Sequence, residues 1–322
     1  MTDLSTVDCK DAVRAVVRKR LKEIAIKAPK MKPRTDHGSH DNPNAVFGVP
    51  LDRLPTQNVG CNAYCPVPRF LVEATECLKN HLGCEGLFRK SGSSVRQKQL
   101  KKTIEEGGKF SEAQPHDVAG LLKQFFRELP EPLLTNQLHD HFVKCLLLAS
   151  KNEQTMAVLL LCILLPIEHL YALQYFMKFM SKVAEKSQES KMGTANLAIV
   201  LTPNLMNSGG KKDGGSNSEK LLKEQTLVVQ MLLESASEIG VVSEDILCEA
   251  KETSNSEGGF SSADELDGDK LGLRGRSRAT SSSISAFVSG KVNKFRQSNH
   301  RRSKSVKAEF SRQKRNVEVD IK

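Results

Sequence analysis

The sequence predicts an all-α protein, a single bundle of about eight or nine helices followed by a disordered, basic C-terminal tail. Between residues 68 and 240, apolar residues recur at the three- and four-residue spacing of helices, and no segment shows strand-like alternation. From residue 241 onward hydrophobic residues are sparse, so this part cannot bury enough apolar surface to offset its chain entropy. The predicted divisions are therefore an N-terminal segment at 1–45, a helical domain at 46–240 and a tail at 241–322.

The N-terminal segment contains a predicted basic amphipathic helix at 11–28, which is followed by a linker at 29–44. The basic face of this helix suits an anionic membrane. Acidic residues such as Asp11 and Glu23 argue against a mitochondrial import presequence, because presequences are poor in acids. An additional helix packed on the main domain is the other interpretation.

Two helices are predicted to flank a short connection near the start of the domain. The first pattern covers 70–82 and ends at Gly83, a common C-terminal stop. The second begins at Ser94, which forms a capping-box pattern with Gln97, and runs to about Glu106. The connection is therefore a tight loop whose two ends are both held.

One cation, Arg89, stands in this connection at 85–93. Leu87 and Phe88 are expected to fix the loop to the core, so that Arg89 points outward from a rigid base. From the loop alone, an ordinary solvated surface arginine is the plainer interpretation.

The strongest helical pattern lies at 115–129, where six apolar residues follow the spacing i, i+3, i+4, i+7, i+8 and i+11. Pro115 suits the first turn of a helix. At about 100° per residue, Lys123 and Arg127 lie one turn apart on the face opposite the apolar stripe. The helix thus presents two cations together, although a pair of solvated helix charges has the same pattern.

The remaining helical patterns complete the predicted bundle: 138–147 capped by Thr135, 156–165 before Pro166, 170–185, 196–201 ending at Pro203, and 219–239 before Gly240. Asn196 and Asn204 bracket the shortest of these helices. An amide at each end of an apolar helix is either a cap or a functional group. The glycine-rich segment 208–218 is predicted to be a flexible loop.

The positive charge of the chain is concentrated in its tail. The net charge is +10, yet residues 270–322 alone contain 15 Lys or Arg and 3 Asp or Glu, which leaves 33 basic and 35 acidic residues elsewhere. Overall basicity is therefore no argument that the folded part binds nucleic acid. The tail suits a nuclear import receptor or an acidic lipid, with no firm indication of nucleic acid, and a purely solubilising tail is the alternative.

Cysteine usage and hydropathy bear on the compartment. Eight cysteines are present without a secretory signal pattern, which favours reduced thiols and a cytoplasmic or nuclear protein that is not secreted. The longest apolar run, 156–165, has ten residues, and a bilayer needs about 20, so no transmembrane span is expected. Cys61 and Cys65 lack a second Cys or His pair at ligand spacing, so no metal site is expected.

Motifs of a self-contained catalyst are missing from the sequence. It has no P-loop, protein-kinase set, nucleophile elbow or metalloprotease motif. A helical domain that presents one arginine with supporting polar groups instead suits a protein that inserts a cation into a partner's reaction.

Ordered blocks of the sequence resemble the Rho-type GTPase-activating (RhoGAP) domain family. E-G-L-F-R-K-S-G at 85–92 resembles the arginine-finger loop of that family, and G-L-L-K-Q-F-F-R-E-L-P-E-P-L-L-T at 120–135 resembles its second signature helix. K-M-x-x-x-N-L-A at 191–198 and P-N-L at 203–205 resemble its last block. The blocks occur in the family's order and spacing across 46–240.

The resemblance implies a role for each candidate residue. Arg89 matches the arginine finger, and Lys123 and Arg127 match the cationic pair on the helix that faces the GTPase. Asn204 matches the asparagine that contacts the GTPase near its switch regions, and Asn196 lies in the block that supports it. The sequence departs from the family at Thr202, where many members have glycine, and this departure is expected to tilt Asn204 slightly.

The resemblance also implies a function. The expected activity is stimulation of GTP hydrolysis by a Rho-family small GTPase, RhoA-like by preference, which switches off Rho signalling. The protein would be an activator and not an enzyme by itself, and it would need no cofactor, because GTP and Mg²⁺ belong to the partner GTPase. The alternatives are a non-catalytic Rho-binding adaptor, or a protein whose tail binds membrane or nucleic acid.

Overall fold

The computed structural model describes residues 1–30, 44–60, 64–206 and 216–257, and the described part is all-α as predicted. Its eleven α-helices are α1 (Lys10–Glu23), α2 (Arg69–Leu78), α3 (Ser94–Glu105), α4 (Pro115–Glu128), α5 (Asn136–Cys145), α6 (Lys151–Ile163), α7 (Ile167–Glu185), α8 (Ser187–Ser190), α9 (Thr194–Leu205), α10 (Ser216–Glu234) and α11 (Glu244–Glu257). Two short antiparallel strand pairs accompany them: β1 (Thr2–Asp3) with β4 (Val241–Val242), and β2 (Thr56–Asn58) with β3 (Pro66–Pro68).

Helix α4 packs within the hydrophobic core against α2, α3 and α9. The six apolar residues of its predicted stripe are all buried, as the periodicity requires. Phe125 packs against Phe70 of α2 with ring centroids 4.8 Å apart, and Phe126 packs against Phe176 of α7 at 4.5 Å. Because three helices meet through these rings, the opposite face of α4 is held in a fixed orientation.

The predicted cap is wrong at one helix and lacks its side-chain bond at another. Ser93, not Ser94, caps α3, and its side chain accepts a hydrogen bond from the Arg96 backbone N–H. Thr135 is the N-cap residue of α5, as predicted, but its side chain makes no capping hydrogen bond there, and its backbone has φ of 55°. The capping box found in the structure joins Ser150 and Glu153 at the start of α6.

Helix α9 continues through Pro203 to Leu205, although the sequence predicts that it stops at the proline. Proline removes one backbone donor, but side chains bond to neighbouring carbonyl groups. The Thr202 hydroxyl donates to the Ala198 carbonyl oxygen at 2.7 Å, and the Asn204 amide donates to that of Val200 at 2.9 Å. Both bonds lie within the last two turns of α9, beside the proline.

The prediction of disorder from residue 241 onward is wrong for its first part. Val241–Val242 pairs with Thr2–Asp3, and α11 packs against α1. Ile246, Leu247 and Ala250 of α11 are buried there, so local sparseness of apolar residues is offset by a partner that is distant in sequence. Helices α8 and α11 also raise the helix number above the predicted eight or nine. The basic part of the tail lies outside the described residues.

The N-terminal helix packs on the bundle, which agrees with the second interpretation of its pattern. It is shorter than predicted, and Arg14 donates to the carbonyl oxygens of Ile163 at 3.3 Å and Leu165 at 3.2 Å, at the end of α6. Lys19 and Arg20 form ion pairs with Glu249 of α11. Several cations proposed for a membrane surface are therefore engaged within the protein.

Of the other predicted segments, most of the linker at 29–44 and of the loop at 208–218 lies outside the described residues. Cys61 also lies outside them. Among the helices that the structure describes, none combines the length and hydropathy needed to cross a bilayer. The same described residues contain no group of three or more His, Cys, Asp or Glu placed to hold a metal ion.

Candidate functional site

The loop at 85–93, called here the arginine loop, presents Arg89 to solvent from a buried base. The side chains of Leu87 and Phe88 are completely buried, and the Phe88 ring packs edge-on against Phe179 of α7. Arg89 itself is exposed, and no hydrogen bond or ion pair of its guanidinium is found within the described residues. The loop therefore offers one unpaired cation on a fixed support.

The backbone of the arginine loop is held by its own turns and by one contact to α8. The backbone N–H groups of Arg89 and Lys90 both donate to the Gly86 carbonyl oxygen at 2.8 Å, and the Gly86 N–H donates to that of Ser190 at 2.7 Å. Gly86 has φ of 70°, which suits glycine. Phe88 has φ of 69°, a conformation that costs about 1–3 kcal/mol and persists only where the surroundings impose it.

Lys123 of α4 lies directly beneath the strained residue of the arginine loop. Its ammonium group donates to the Phe88 carbonyl oxygen at 2.6 Å. The side chain is half-buried, and burial together with the nearby Arg127 lowers the pKa of the Lys123 ammonium. Lys123 thus bonds to the peptide immediately before Arg89, a contact that the sequence pattern did not indicate.

Arg127 and Asn204 meet across α4 and α9. Nη1 of Arg127 donates to Oδ1 of Asn204 at 3.1 Å, and Nδ2 of Asn204 donates to the Val200 carbonyl oxygen. Asn204 is only 4% exposed, so these two bonds fix which way its amide faces. Thr202 does not displace Asn204 from the helix, since α9 includes both residues.

Asn196 lies near the other end of α9 and does not contact the Arg127–Asn204 pair. Its amide donates to the Lys191 carbonyl oxygen at 3.2 Å, where the backbone turns into the helix with φ of 58° at Lys191. Asn196 shares one exposed helix face with Ile199 and Pro203, and Ile199 is 60% exposed. Sequence reasoning missed Ile199, although its spacing from Asn196 was a usable signal.

Asp117 is a second residue that sequence reasoning undervalued. Its carboxylate is 2% exposed and accepts hydrogen bonds from the Ser93 backbone N–H at 2.7 Å and from Nε of Arg96 at 2.5 Å. A Cβ atom at Gly92 would lie 2.1 Å from Oδ1 of Asp117 and 2.9 Å from its Cα. Glycine at position 92 therefore lets the end of the arginine loop rest against the first turn of α4.

The five predicted site residues thus fall into three groups. Arg89 and Lys123 share the arginine loop and its support, and Arg127 and Asn204 form one hydrogen-bonded pair. Asn196, on the exposed face of α9, bonds to neither group. Helix α4 carries one member of each of the first two groups, so its buried stripe sets their spacing.

A model of the RhoGAP domain family matches residues 68–209. The chain carries a RhoGAP domain. All five candidate residues lie inside the matched range. The RhoGAP domain also lies within the wider boundaries 46–240, which remain a prediction.

Known proteins of similar sequence agree with this assignment. The chain is 42% identical to Rho GTPase-activating protein 11A of Homo sapiens over 257 residues, which is 78% of this chain and 25% of that protein. It is 35% identical to Rho GTPase-activating protein 7 of Mus musculus over 187 residues, which is 57% of this chain and 17% of that protein. The chain therefore spans a quarter or less of the length of these two relatives.

A solved structure gives the same fold. The crystal structure of human Rho GTPase activating protein 15 superposes with a TM-score of 0.54 and 25% sequence identity, covering 62% of this chain and 93% of that one. The RhoGAP domain of the present chain is therefore a helical bundle of the known type, and α1 and α11 lie outside the range 68–209 matched by the family model.

Proposed function

We propose that this protein stimulates GTP hydrolysis by a Rho-family small GTPase, with Arg89 inserted in trans into the nucleotide site of the partner. The observation that carries the proposal is an exposed, unpaired guanidinium on a buried, hydrogen-bonded base inside a RhoGAP domain. The names of the relatives, Rho GTPase-activating proteins, support the class of partner. A RhoA-like GTPase is the partner that we expect to be preferred.

An arginine suits this reaction because of where charge develops. During phosphoryl transfer negative charge is spread over the transferring group and the leaving oxygen, and a cation placed there in advance lowers the barrier. The planar guanidinium bonds two oxygens at once and stays charged at all working pH values. GTP and Mg²⁺ belong to the partner, so this chain supplies a side chain to the reaction and holds no cofactor.

The supporting residues receive distinct proposed roles. Lys123 positions the peptide before Arg89 through the Phe88 carbonyl group. Arg127 and Asn204 form a preset polar pair that meets the GTPase near its switch regions. Asn196 and the exposed Ile199 extend this contact along α9, where an apolar side chain adds buried area on docking.

The decisive experiment is single-turnover GTP hydrolysis by RhoA-, Rac- and Cdc42-type GTPases with wild-type protein and with Arg89→Ala. The substitution should lower the stimulated rate by about 10³-fold or more, since an arginine finger contributes about 10³–10⁵. Binding to a GTP-state mimic should change little, because the transition state gains most from the cation. Lys90→Ala, which removes the adjacent exposed cation, is the matched control and should keep most of the stimulation.

Other outcomes would favour the alternatives. Wild-type protein that binds the GTP-state mimic without accelerating hydrolysis would be an adaptor. Loss of stimulation on deletion of 270–322 would assign the main function to the basic tail. For location, we propose the cytoplasm, the nucleus or both, and a nuclear import receptor or an acidic lipid as partners of the tail.

A further inference from the structure

A thiol and an imidazole meet at the entrance to the arginine loop. Sγ of Cys84 lies 3.5 Å from Nε2 of His116, which belongs to the first turn of α4. Both residues are partly exposed. The other ring nitrogen of His116, Nδ1, is buried and has no hydrogen-bond partner in the described structure.

The position of Cys84 couples it to the arginine loop. Its backbone N–H donates to the His81 carbonyl oxygen at 2.9 Å, and its own carbonyl oxygen accepts from the Leu87 N–H at 3.1 Å. Its sulfur faces the turn of α4 whose next residue, Asp117, holds the far end of the loop. A group added to the sulfur would therefore separate the start of the loop from the helix that supports its end.

The other described thiols lack this arrangement. The sulfur of Cys77 contacts the Phe110 carbonyl oxygen at 3.8 Å, and burial raises the pKa of its thiol. Burial raises the pKa of Cys145 to about 12 and also raises that of Cys162. Cys248 is exposed but has no imidazole within hydrogen-bonding distance among the described residues. Within that part of the chain, Cys84 is the one partly exposed cysteine whose sulfur lies within hydrogen-bonding distance of an imidazole.

We propose that Cys84 is a redox-modification site that takes hydroperoxides, with His116 as the base that receives the thiol proton. The sulfur attacks one peroxide oxygen, the S–O bond forms and the O–O bond breaks, and the leaving hydroxide takes the proton from His116 to become water. The thiol is thereby oxidised by two electrons to a sulfenic acid, and hydrogen peroxide is reduced to water. A dithiol reverses the change, because it returns the thiol and becomes a cyclic disulfide with release of water.

In the oxidised protein Arg89 is no longer held in position to reach the nucleotide of the partner GTPase. This consequence rests on the proposed function. The oxygen added to Sγ occupies the space between Cys84 and His116, so the turn that carries Gly86 and Phe88 moves away from α4. A displacement of about 1 Å in a catalytic group costs about 10²-fold in rate. The reactivity of the thiol itself does not depend on any partner GTPase.

The first test measures thiol reactivity in the full chain. Each cysteine is followed by peptide mass spectrometry during alkylation by iodoacetamide, and sulfenic acid is trapped with dimedone after limited hydrogen peroxide. We expect Cys84 to react faster than the more exposed Cys248 and than Cys77, which is also only partly exposed. His116→Gln should lower the reaction rate of Cys84 by about 10-fold and leave that of Cys248 unchanged. The expected effect is smaller than that of a well-aligned general base, because the contact is long.

The inference is overturned if wild-type Cys84 reacts no faster than Cys77, a result that needs no variant and leaves the role of Arg89 untouched. The second test compares stimulated GTP hydrolysis before and after peroxide, each protein being normalised to its own untreated rate. We expect a loss of about 10-fold or more in the wild type that dithiothreitol reverses, and no loss in Cys84→Ser. An equal loss in Cys84→Ser would remove Cys84 from control of the loop.

Discussion

At the scale of single residues, the candidate site depends on one strained peptide. Phe88 combines a completely buried ring with a left-handed backbone, and the carbonyl group of the same residue is bonded by Lys123. The ring anchors the loop and the carbonyl bond orients it, so Arg89 projects from a peptide that is held on two sides. The resemblance to the family implied that Lys123 acts mainly in docking, because the sequence shows the face of α4 but not what lies above that face.

Substitution of Lys123 separates positioning from docking. Lys123→Met keeps the packed methylene groups but removes the bond to the Phe88 carbonyl oxygen. We expect the stimulated rate at saturating protein to fall by about 10-fold, with a smaller change in affinity for a GTP-state mimic, because the finger is less well oriented. Single-turnover kinetics over a range of protein concentrations measures both quantities.

Lys182→Met, at an exposed lysine of α7, is the control for loss of one charge and should leave both quantities unchanged. If Lys123→Met weakens the affinity but keeps the stimulated rate at saturating protein, then Lys123 contributes to docking alone.

The Arg127–Asn204 pair makes a prediction that concerns energetic coupling. Arg127→Met and Asn204→Ala each remove one partner of the same hydrogen bond, so their effects on affinity for the GTP-state mimic should not add. We expect each single variant to weaken binding. The binding free energy lost by the double variant should be about 1 kcal/mol smaller than the sum of the two single losses. Calorimetric titration of the four proteins measures this coupling, and strict additivity would show that the two residues act independently.

At the scale of elements, helices α1 and α11 pack against each other through ion pairs and buried apolar side chains. Both helices lie outside the range matched by the family model. Asp245 of α11 binds Arg20 of α1, and Glu249 binds both Lys19 at 2.7 Å and Arg20 at 3.2 Å. Hydrogen bonds from Ser243 and from Arg20 lower the pKa of Asp245 to about 2. The carboxylate is largely exposed, so its contribution to the free energy of unfolding is at most about 1 kcal/mol.

The sign of the pKa shift of Asp245 fixes a pH dependence. Because its pKa falls from 3.8 to about 2 on folding, its stabilisation is fully present above pH 3.8 and is lost as the pH falls toward 2. Asp245→Asn should lower the melting temperature by at most about 2–4 °C at pH 6. The difference between wild type and variant should shrink as the pH is lowered through this window in thermal melts. A difference that stays constant from pH 6 to pH 2 would contradict the contribution of the ion pair.

At the scale of the whole molecule, the first residues of the chain pair with the segment that follows α10. Thr2 pairs with Val242, the Leu4 N–H donates to the Gly240 carbonyl oxygen at 2.8 Å, and Gln174 of α7 donates to Asp3 at 2.7 Å. The apolar side chains that α1 adds to the core are Val13, Val16, Val17 and Leu21. The first 28 residues are therefore part of the folded bundle and not an appendage to it.

Deletion of residues 1–28 should lower the free energy of unfolding by at least about 3 kcal/mol, since each fully buried aliphatic side chain contributes about 1.5–3 kcal/mol. Denaturant titration of both proteins measures the difference. Deletion of 270–322, which the sequence predicts to be disordered, serves as the control and should leave the midpoint unchanged. A loss below about 1 kcal/mol for the N-terminal deletion would show that α1 is dispensable for the fold.

The sequence by itself determined the elements that depend on neighbours within a few residues. The stripe of α4, the position of the arginine loop between two helices, and the burial of Leu87 and Phe88 beside an exposed Arg89 all follow from spacing and side-chain type. Helical periodicity identifies which face is buried, and motif order indicated the RhoGAP family. Helix ends were less predictable, because a cap such as Ser93 depends on a single hydrogen bond and a proline does not always end a helix.

Only the tertiary structure decided which elements meet. The Lys123–Phe88 bond joins residues 35 positions apart, the Arg127–Asn204 bond 77, and the Arg20–Asp245 pair 225. A periodic pattern carries no information on the partner of a face, since many packings bury the same stripe equally well. The bond of Lys123 beneath Arg89 and the ion pairs between α1 and α11 therefore became visible only in the packed structure.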